Sequence, residues 1–326
     1  MMKKIIFVLC LASMCILTLY AIFPISISTI LQDNSKYFER EEHSILFPAE
    51  LLYDDNNNKI RSITTTAYSI KSEGNSINNI NNNNKFEYNA KFDPIRAKNY
   101  LISLYNSTVK LLHENETMIK YWLWSDNILA SKVLKGYDDN ISRNIANTIH
   151  DYKLTYNIDM LSQFAVLVDS TSKSSFKQAI SKNLIDNIWY TNYDGGSVDL
   201  SCSEYADVAF LKSLYFYNNN DINNSKICYD KAVSMFDGIG FKDKAFYADG
   251  NSYATYKIAL WKIASTRTGF ADTRELTNLI GDLQNRITGG IYTHYASDLL
   301  PRGFTNAETT SLVVMAFDIN CCSFKH

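Results

Sequence analysis

The sequence predicts an all-α domain built from two kinds of helix. Stretches that are apolar on nearly every face alternate along the chain with stretches that carry a single apolar stripe. Helices of the first kind must be surrounded by protein, whereas helices of the second kind face water on one side. Alternating polar and apolar runs, which indicate strands, are rare. About five helices of each kind therefore predict an inner ring of helices inside an outer ring.

The first 28 residues have the pattern of an export signal. Lys3 and Lys4 precede the mainly apolar segment Ile5–Phe23. As a helix this segment spans about 28 Å, close to the thickness of a membrane core. Ser26 and Ser28 fit a cleavage site, so residues 1–28 are either a cleaved signal or an uncleaved anchor in contact with the membrane. In both cases we expect an exported protein, secreted or anchored at the outer face of the cell membrane.

A polar linker is predicted between this signal and the helical domain. Residues 29–91 show no sustained periodicity and include the Asn-rich run NNINNNNKFEYNAK. Such a composition buries too little apolar surface to offset the entropy lost on ordering. We therefore expect a disordered or loosely attached linker over 29–91 and a helical domain over 92–326.

The helical domain is predicted to begin with an amphipathic helix and then an apolar one. Asp93 and Pro94 form a cap and first turn for a helix that runs to Leu112. The stretch YWLWSDNILASKVLKGY then predicts an apolar helix capped by Ser125 or Asp126. Its amphipathic successor carries isoleucines at positions 141, 145 and 149, which share one helix face.

Three further pairs repeat this order, each with the apolar helix first. They are predicted at 160–168 with 176–188, at 204–217 with 224–236, and at 253–264 with 276–287. A last apolar helix over 306–319 has no amphipathic helix after it. We expect it to pack against the first amphipathic helix, which joins the two ends of the domain and closes the ring.

This layout resembles the α/α-toroid superfamily. The resemblance lies in the alternation itself and in Gly-rich aromatic loops, NYDGG and TGGIYTHY, before apolar helices, and it covers about Asp93 to Ile319. The superfamily includes the six-hairpin glycosidases, the α/α-barrel polysaccharide lyases, and the terpenoid cyclases with the protein prenyltransferases. The resemblance implies a cleft at the end of the barrel where the inner helices begin. A tetratricopeptide array is the rival interpretation, but the apolar helices recur at about 50 residues rather than at 34.

Aromatic rings and carboxylates are expected to gather at that end of the barrel. Flat rings pack against the apolar face of a sugar, and carboxylates accept bonds from hydroxyl groups or transfer protons. The candidate substrate-binding residues are Trp122, Trp124, Trp189, Tyr193, Tyr292 and Arg302. The candidate catalytic residues are Asp194, Asp126, Asp249, His294 and Tyr295.

Two carbohydrate reactions assign these residues differently. Glycoside hydrolysis needs two carboxyl groups, for which Asp194 with Asp126 or Asp249 is the preferred pair. A lyase would instead use His294 or a tyrosine to remove a proton beside a uronic carboxylate, which Arg302 would neutralise.

Two glutamates are weaker catalytic candidates. Glu204 follows Ser201 by three residues, and Glu308 follows Thr305 by three. Both spacings match a capping box, in which the glutamate serves the start of a helix. The sequence therefore gives each of them a structural explanation.

Composition and motifs exclude several function classes. A net charge of −2 argues against nucleic-acid binding, and the chain has no P-loop, no GxSxG and no HExxH. Asp199, Cys202 and His294 are similar to the zinc ligands of prenyltransferases, but their D-x-x-C spacing departs from that pattern, so we expect no metal and no cofactor. Cys202 with Cys228 is instead a candidate disulfide.

The leading hypothesis is an exported protein that binds a glycan or other small polar ligand and cleaves it as a hydrolase or lyase. The alternative is a noncatalytic extracellular binding or scaffold protein of helical-repeat type.

Overall fold

The computed structural model describes residues 91–119, 121–156, 164–168, 176, 180–185, 188–192, 199–270 and 277–318. The predicted signal, almost all of the predicted linker, and the site candidates Tyr193 and Asp194 lie outside the described residues. No helix within them is long and apolar enough to span a bilayer.

The described part of the chain is mainly helical. Its ten helices are α1 Pro94–Ser103, α2 Trp124–Leu134, α3 Asp139–Tyr156, α4 Ala165–Val168, α5 Ala206–Asn218, α6 Ile222–Ser234, α7 Lys244–Ala248, α8 Thr255–Thr268, α9 Thr277–Asp282 and α10 Ala307–Phe317. Eight short strands accompany them: β1 Tyr105–Asn106, β2 Leu111–Leu112, β3 Trp122–Leu123, β4 Ile180–Ile185, β5 Ile188–Asn192, β6 Tyr253–Ala254, β7 Tyr292–Tyr295 and β8 Pro301–Thr305. The domain is mainly helical, as predicted, but the short strands make the prediction of a purely α-helical domain wrong.

The strands form three small sheets, two of which lead directly into helices. β1 pairs with β2, and the other sheets have the orders β3-β5-β4 and β6-β7-β8. β3 ends where α2 begins, and β6 ends where α8 begins. In the third sheet His294 lies opposite Ala254 on one side and Arg302 on the other. These sheets therefore fix the positions at which the two helices start.

Five helices contact one another in a closed circuit. α2 packs against α4, α4 against α5, α5 against α8, α8 against α10, and α10 against α2. These are the five helices that the sequence predicts to be apolar throughout. α3 covers α2, α6 covers α5, and α1 covers α10. The circuit is thus partly enclosed by a second layer of helices.

The first and last helices pack together, as predicted. The rings of Phe92 and Phe317 lie 6.3 Å apart in an edge-to-face arrangement, and Lys98 of α1 forms an ion pair with Asp318. α1 ends at Ser103, however, and does not extend to Leu112. The Asn106 side chain accepts hydrogen bonds from the backbone of residues 108 and 109, which makes a turn that competes with the helix.

The predicted amphipathic helix over 176–188 is wrong. β4 and β5 form an antiparallel pair there, with Asn183 opposite Trp189, and β5 also pairs in parallel with β3. Apolar residues four apart fit a helix, but the β-branched and aromatic run IWYT favours a strand. The helix predicted over 276–287 is also shorter, because α9 ends at Asp282.

The predicted helix caps also differ from those observed. α10 is capped by Asn306, whose side chain accepts from the Thr309 backbone, so Thr305 and Glu308 form no capping box. α5 begins after Tyr205 without any side-chain cap, and α2 likewise begins after Leu123. Neither Ser125 nor Asp126 therefore serves as the cap of α2.

Candidate functional site

Four helices of the circuit each begin with a buried ionisable side chain. Asp126 is the third residue of α2, and Asp207, Tyr256 and Glu308 are the second residues of α5, α8 and α10. All four are at most 8% exposed. Glu114, which precedes β3, is half-buried and joins them electrostatically. We refer to these five residues, which are four acids and one tyrosine, as the carboxyl cluster.

Asp126 and Glu114 form one end of the cluster. Burial raises the pKa of Asp126, and the neighbouring Glu114 and Glu308 raise it further. Ser125 donates a hydrogen bond to Oδ1 of Asp126 at 3.0 Å, and Asn306 donates to Oε1 of Glu114 at 2.8 Å. Oδ2 of Asp126 and Oε2 of Glu114 are buried without a donor among the described residues. The raised pKa favours the protonated, carboxylic acid form of Asp126 beside Glu114.

Glu308 lies between this pair and Asp207. Burial raises the pKa of Glu308, with further contributions from Glu114 and Asp207. The Tyr256 hydroxyl donates to Oδ2 of Asp207 at 3.2 Å, while Oδ1 of Asp207 has no donor among the described residues. Burial also raises the pKa of Asp207, although Lys257 opposes this shift. The cluster therefore contains three carboxyl groups that bind protons more readily than free carboxyls do.

A buried ion pair lies beside the starts of α5 and α8. Nζ of Lys257 donates to both carboxylate oxygens of Asp243, at 2.9 and 2.8 Å. Asp243 also caps α7 and accepts from the backbone nitrogen of Ala206 at 2.8 Å. One carboxylate thus joins the starts of three helices, and the lysine charge is already neutralised.

A more exposed pair, Asp249 and His294, lies near the cluster. Nε2 of His294 is 3.7 Å from Oδ2 of Asp249, and the two side chains are 17% and 13% exposed. Nδ1 of His294 is 3.0 Å from the Thr293 hydroxyl. Burial raises the pKa of Tyr256, and Asp249 adds to the contributions of the closer carboxylates. This pair is therefore the more accessible edge of the site.

Only some of the predicted catalytic residues come together. Asp126 belongs to the cluster, and Asp249 pairs with His294. Tyr295 has no exposed surface, its hydroxyl donates to the Ile239 carbonyl at 2.9 Å, and its ring stacks on Tyr253. The hydroxyl of Tyr295 is thus occupied within the core, and its catalytic role stays a prediction.

The predicted aromatic platform is also largely buried. Trp122 is 7% exposed and packs near His113, and Trp124 is 3% exposed and packs edge-on near Tyr152. Their faces therefore contact other side chains in this structure, and stacking on a sugar stays a prediction for both residues. The remaining three candidates in the described part retain some exposure. Trp189 lies beside Tyr121, Tyr292 accepts a hydrogen bond from Asn285, and Arg302 is exposed on β8.

Four members of the cluster were missed or undervalued in the sequence. Glu114, Asp207 and Tyr256 were not singled out, and Glu308 was explained as part of a capping box. A usable signal exists in the sequence, because an otherwise apolar inner helix carries one acid in its first turn at each of Asp126, Asp207 and Glu308. Burial of an acidic side chain costs free energy. The recurrence of a buried acid in the first turn of three inner helices therefore indicates a shared role.

No metal site is evident in the described residues, where no group of three His, Cys, Asp or Glu side chains is arranged to hold an ion. The zinc-like set fails because Cys202 is bonded to Cys228 in a disulfide. Comparisons with family models, curated proteins and solved structures found no match.

Proposed function

We propose that this protein is an exported α/α-toroid protein that binds a carbohydrate where its inner helices begin and hydrolyses a glycosidic bond there. The observation that carries this proposal is the buried Asp126–Glu114 pair, in which one oxygen of each carboxyl group has no donor among the described residues and burial raises the pKa of Asp126. The closed circuit of α2, α4, α5, α8 and α10 supports the toroid, and the carboxyl cluster lies where four of these helices begin.

Hydrolysis of a glycosidic bond requires a proton donor and a second carboxyl group. The donor protonates the leaving oxygen, and the second carboxylate attacks the sugar or activates water. A buried acid whose pKa is raised remains protonated near neutral pH and can act as the donor. We assign the donor to Asp126. Glu308, which lies close to Glu114 and Asp207, is the second carboxyl group.

Hydrolysis fits the site better than the lyase reaction. A lyase needs a base near the substrate and a cation that neutralises the uronic carboxylate. The Tyr295 hydroxyl is occupied by a backbone carbonyl, and Lys257 is paired with Asp243. Arg302 is exposed on the outermost strand of its sheet. The carboxyl groups are assembled at the starts of the inner helices, whereas the lyase candidates His294 and Arg302 lie opposite each other on β7 and β8 and Tyr295 is committed to the core.

The Cys202–Cys228 disulfide supports the export part of the proposal. The bond joins the segment before α5 to α6 across 26 residues. Disulfides persist in oxidising compartments and are rare in the cytosol. Membrane contact through residues 1–28 stays a prediction.

Two substitutions test the catalytic assignment. Asp126→Asn and Glu308→Gln keep the size of each side chain but remove the acid. We expect each to lower release of reducing ends from a glycan substrate by at least about 100-fold, while binding of that glycan persists. Asp230→Asn, in an exposed ion pair on α6, is the matched control and should retain full turnover.

Three outcomes contradict the proposal in different ways. Full turnover by both variants would remove the carboxyl cluster from the mechanism. Binding without turnover by the wild-type protein would favour the noncatalytic binding alternative. Failure of every member of a broad glycan library to bind or to be cleaved would end the carbohydrate hypothesis.

A further inference from the structure

The carboxyl cluster is short of both hydrogen-bond donors and positive charge. Oδ1 of Asp207 is buried without a hydrogen-bond donor of normal geometry among the described residues, and the Tyr256 hydroxyl donates to its other oxygen at 3.2 Å. Lys257, whose charge acts on Asp207, is 1% exposed and committed to Asp243. His294 lies beside Asp249. These two basic groups therefore already have carboxylate partners.

We infer, on the basis of the proposed function, that the substrate is an amino sugar polymer with free amine groups. An ammonium group brings three N–H donors and one positive charge, which are the two things that the cluster lacks. It would donate to Oδ1 of Asp207 and stabilise the ionised form of Glu308. An acetylated amine brings one donor and no charge, so it meets only part of the deficit.

A uronic acid polymer is disfavoured by the same charges. Its carboxylate would approach Glu114, Asp207 and Glu308, where Lys257 is already committed to Asp243. A further negative charge would favour the protonated form of Glu308, whereas hydrolysis needs Glu308 ionised. The charge distribution therefore separates three polymers that have similar rings but different substituents.

Binding of an amine should also release protons. The titratable groups of the cluster are Glu114 from the loop before β3, Asp126 from α2, Asp207 from α5, Tyr256 from α8 and Glu308 from α10, with Lys257, Asp243, Asp249 and His294 at its border. A nearby positive charge favours the ionised form of a carboxyl group. Protons held by Asp207 and Glu308 are therefore given up to the buffer when an ammonium group binds, whereas the donor Asp126 keeps its proton for the reaction.

Isothermal titration calorimetry on the wild-type protein tests this inference with three short oligomers. These are oligomers of glucosamine, of N-acetylglucosamine and of galacturonate, each titrated at a mildly acidic pH, at which the glucosamine amines are ammonium ions, in two buffers of different ionisation enthalpy. We expect the glucosamine oligomer to bind at least about tenfold more tightly than the acetylated one, and the galacturonate oligomer to bind weakest. The binding enthalpy of the glucosamine oligomer alone should depend on the buffer, in the direction of proton release.

Asp207→Asn provides the residue-level test, with Asp230→Asn as the surface control. We expect Asp207→Asn to reduce the preference for the free amine to about threefold or less while it still binds the acetylated oligomer, which also shows that the variant is folded. Asp230→Asn should keep the full preference.

The results separate this inference from the proposed function. Equal or tighter binding of the acetylated or galacturonate oligomer, absence of proton release with the glucosamine oligomer, or an undiminished amine preference in Asp207→Asn would each overturn the amino sugar assignment. Cleavage of another library glycan, without binding of the glucosamine oligomer, would overturn it while the hydrolase proposal stands. If no glycan of any kind binds, the proposed function fails as well.

Discussion

Replacement of Lys257 by methionine should be among the most destabilising single changes in the protein. The Lys257 and Asp243 side chains are 2% and 0% exposed and are joined by two hydrogen bonds of 2.9 and 2.8 Å. Methionine fills similar space but leaves the Asp243 carboxylate buried without a counter-charge. Removal of one partner from a buried pair typically costs about 3 to 5 kcal/mol. Loss of the lysine also raises the pKa of Asp207 further, because Lys257 now opposes that shift.

Urea unfolding near neutral pH, followed by circular dichroism, measures this loss. Lys226→Met is the matched control, because Lys226 forms an exposed pair with Asp230, and such pairs contribute less than about 1 kcal/mol. In the double variant Lys257→Met with Asp243→Asn, the buried charge is gone and the backbone donors keep an acceptor. We therefore expect it to be more stable than Lys257→Met alone.

The reasoning is refuted if Lys257→Met loses no more stability than Lys226→Met. It is also refuted if the second substitution adds its full cost to the first, because the two side chains would then be energetically independent.

Three further outcomes follow from the structure. Burial raises the pKa of Glu308 in the folded state, so the folded protein binds more protons than the unfolded chain between the two pKa values, and unfolding free energy falls as pH rises through that window. Glu308→Gln should make stability less dependent on pH above the ordinary titration range of glutamate in urea titrations, and an unchanged slope would contradict this. Reduction of Cys202–Cys228, which closes 26 residues, should cost about 3 to 4 kcal/mol and lower the Tm, and a Tm unaffected by dithiothreitol would count against it. Gly289→Ala should be more destabilising than Gly136→Ala in thermal melts, because both have positive φ but only the Cβ at 289 would lie 2.5 Å from a carbonyl oxygen of α1; equal losses would argue against that contact.

Helix type was the property that the sequence revealed best. The inner helices are apolar on all faces, so burial is the only environment that suits them, and α2, α5, α8 and α10 occur where expected. The segment 176–188 was predicted wrongly because its apolar residues recur at every fourth position, a spacing that a buried strand also tolerates. The strand is stabilised by the pairing of β5 with β3, in which Ile188 lies opposite Trp122, 66 residues earlier in the chain. Local periodicity cannot reveal a pairing over this distance.

The candidate site was only partly predictable. Asp126, Asp249 and His294 were predicted because they are titratable residues close in sequence to the starts of apolar helices. Glu308 was interpreted as part of a capping box, because the sequence does not show whether Thr305 or Asn306 caps the helix. Glu114 lies in a loop, and its link to Asn306 spans 192 residues of chain. Contacts of this range follow from ring closure and not from any local pattern.

The packing of α1 on α10 has a mechanical consequence. Phe92 and Phe317 bring the two ends of the described chain side by side, with their rings 6.3 Å apart. Tension applied between these ends would pull α1 away from α10 one contact after another, in a peeling geometry, instead of shearing all contacts together. The same proximity means that a short peptide could join the ends, and the chain could then be opened at an exposed turn such as the one between α5 and α6, which follows the end of α5 opposite to Asp207.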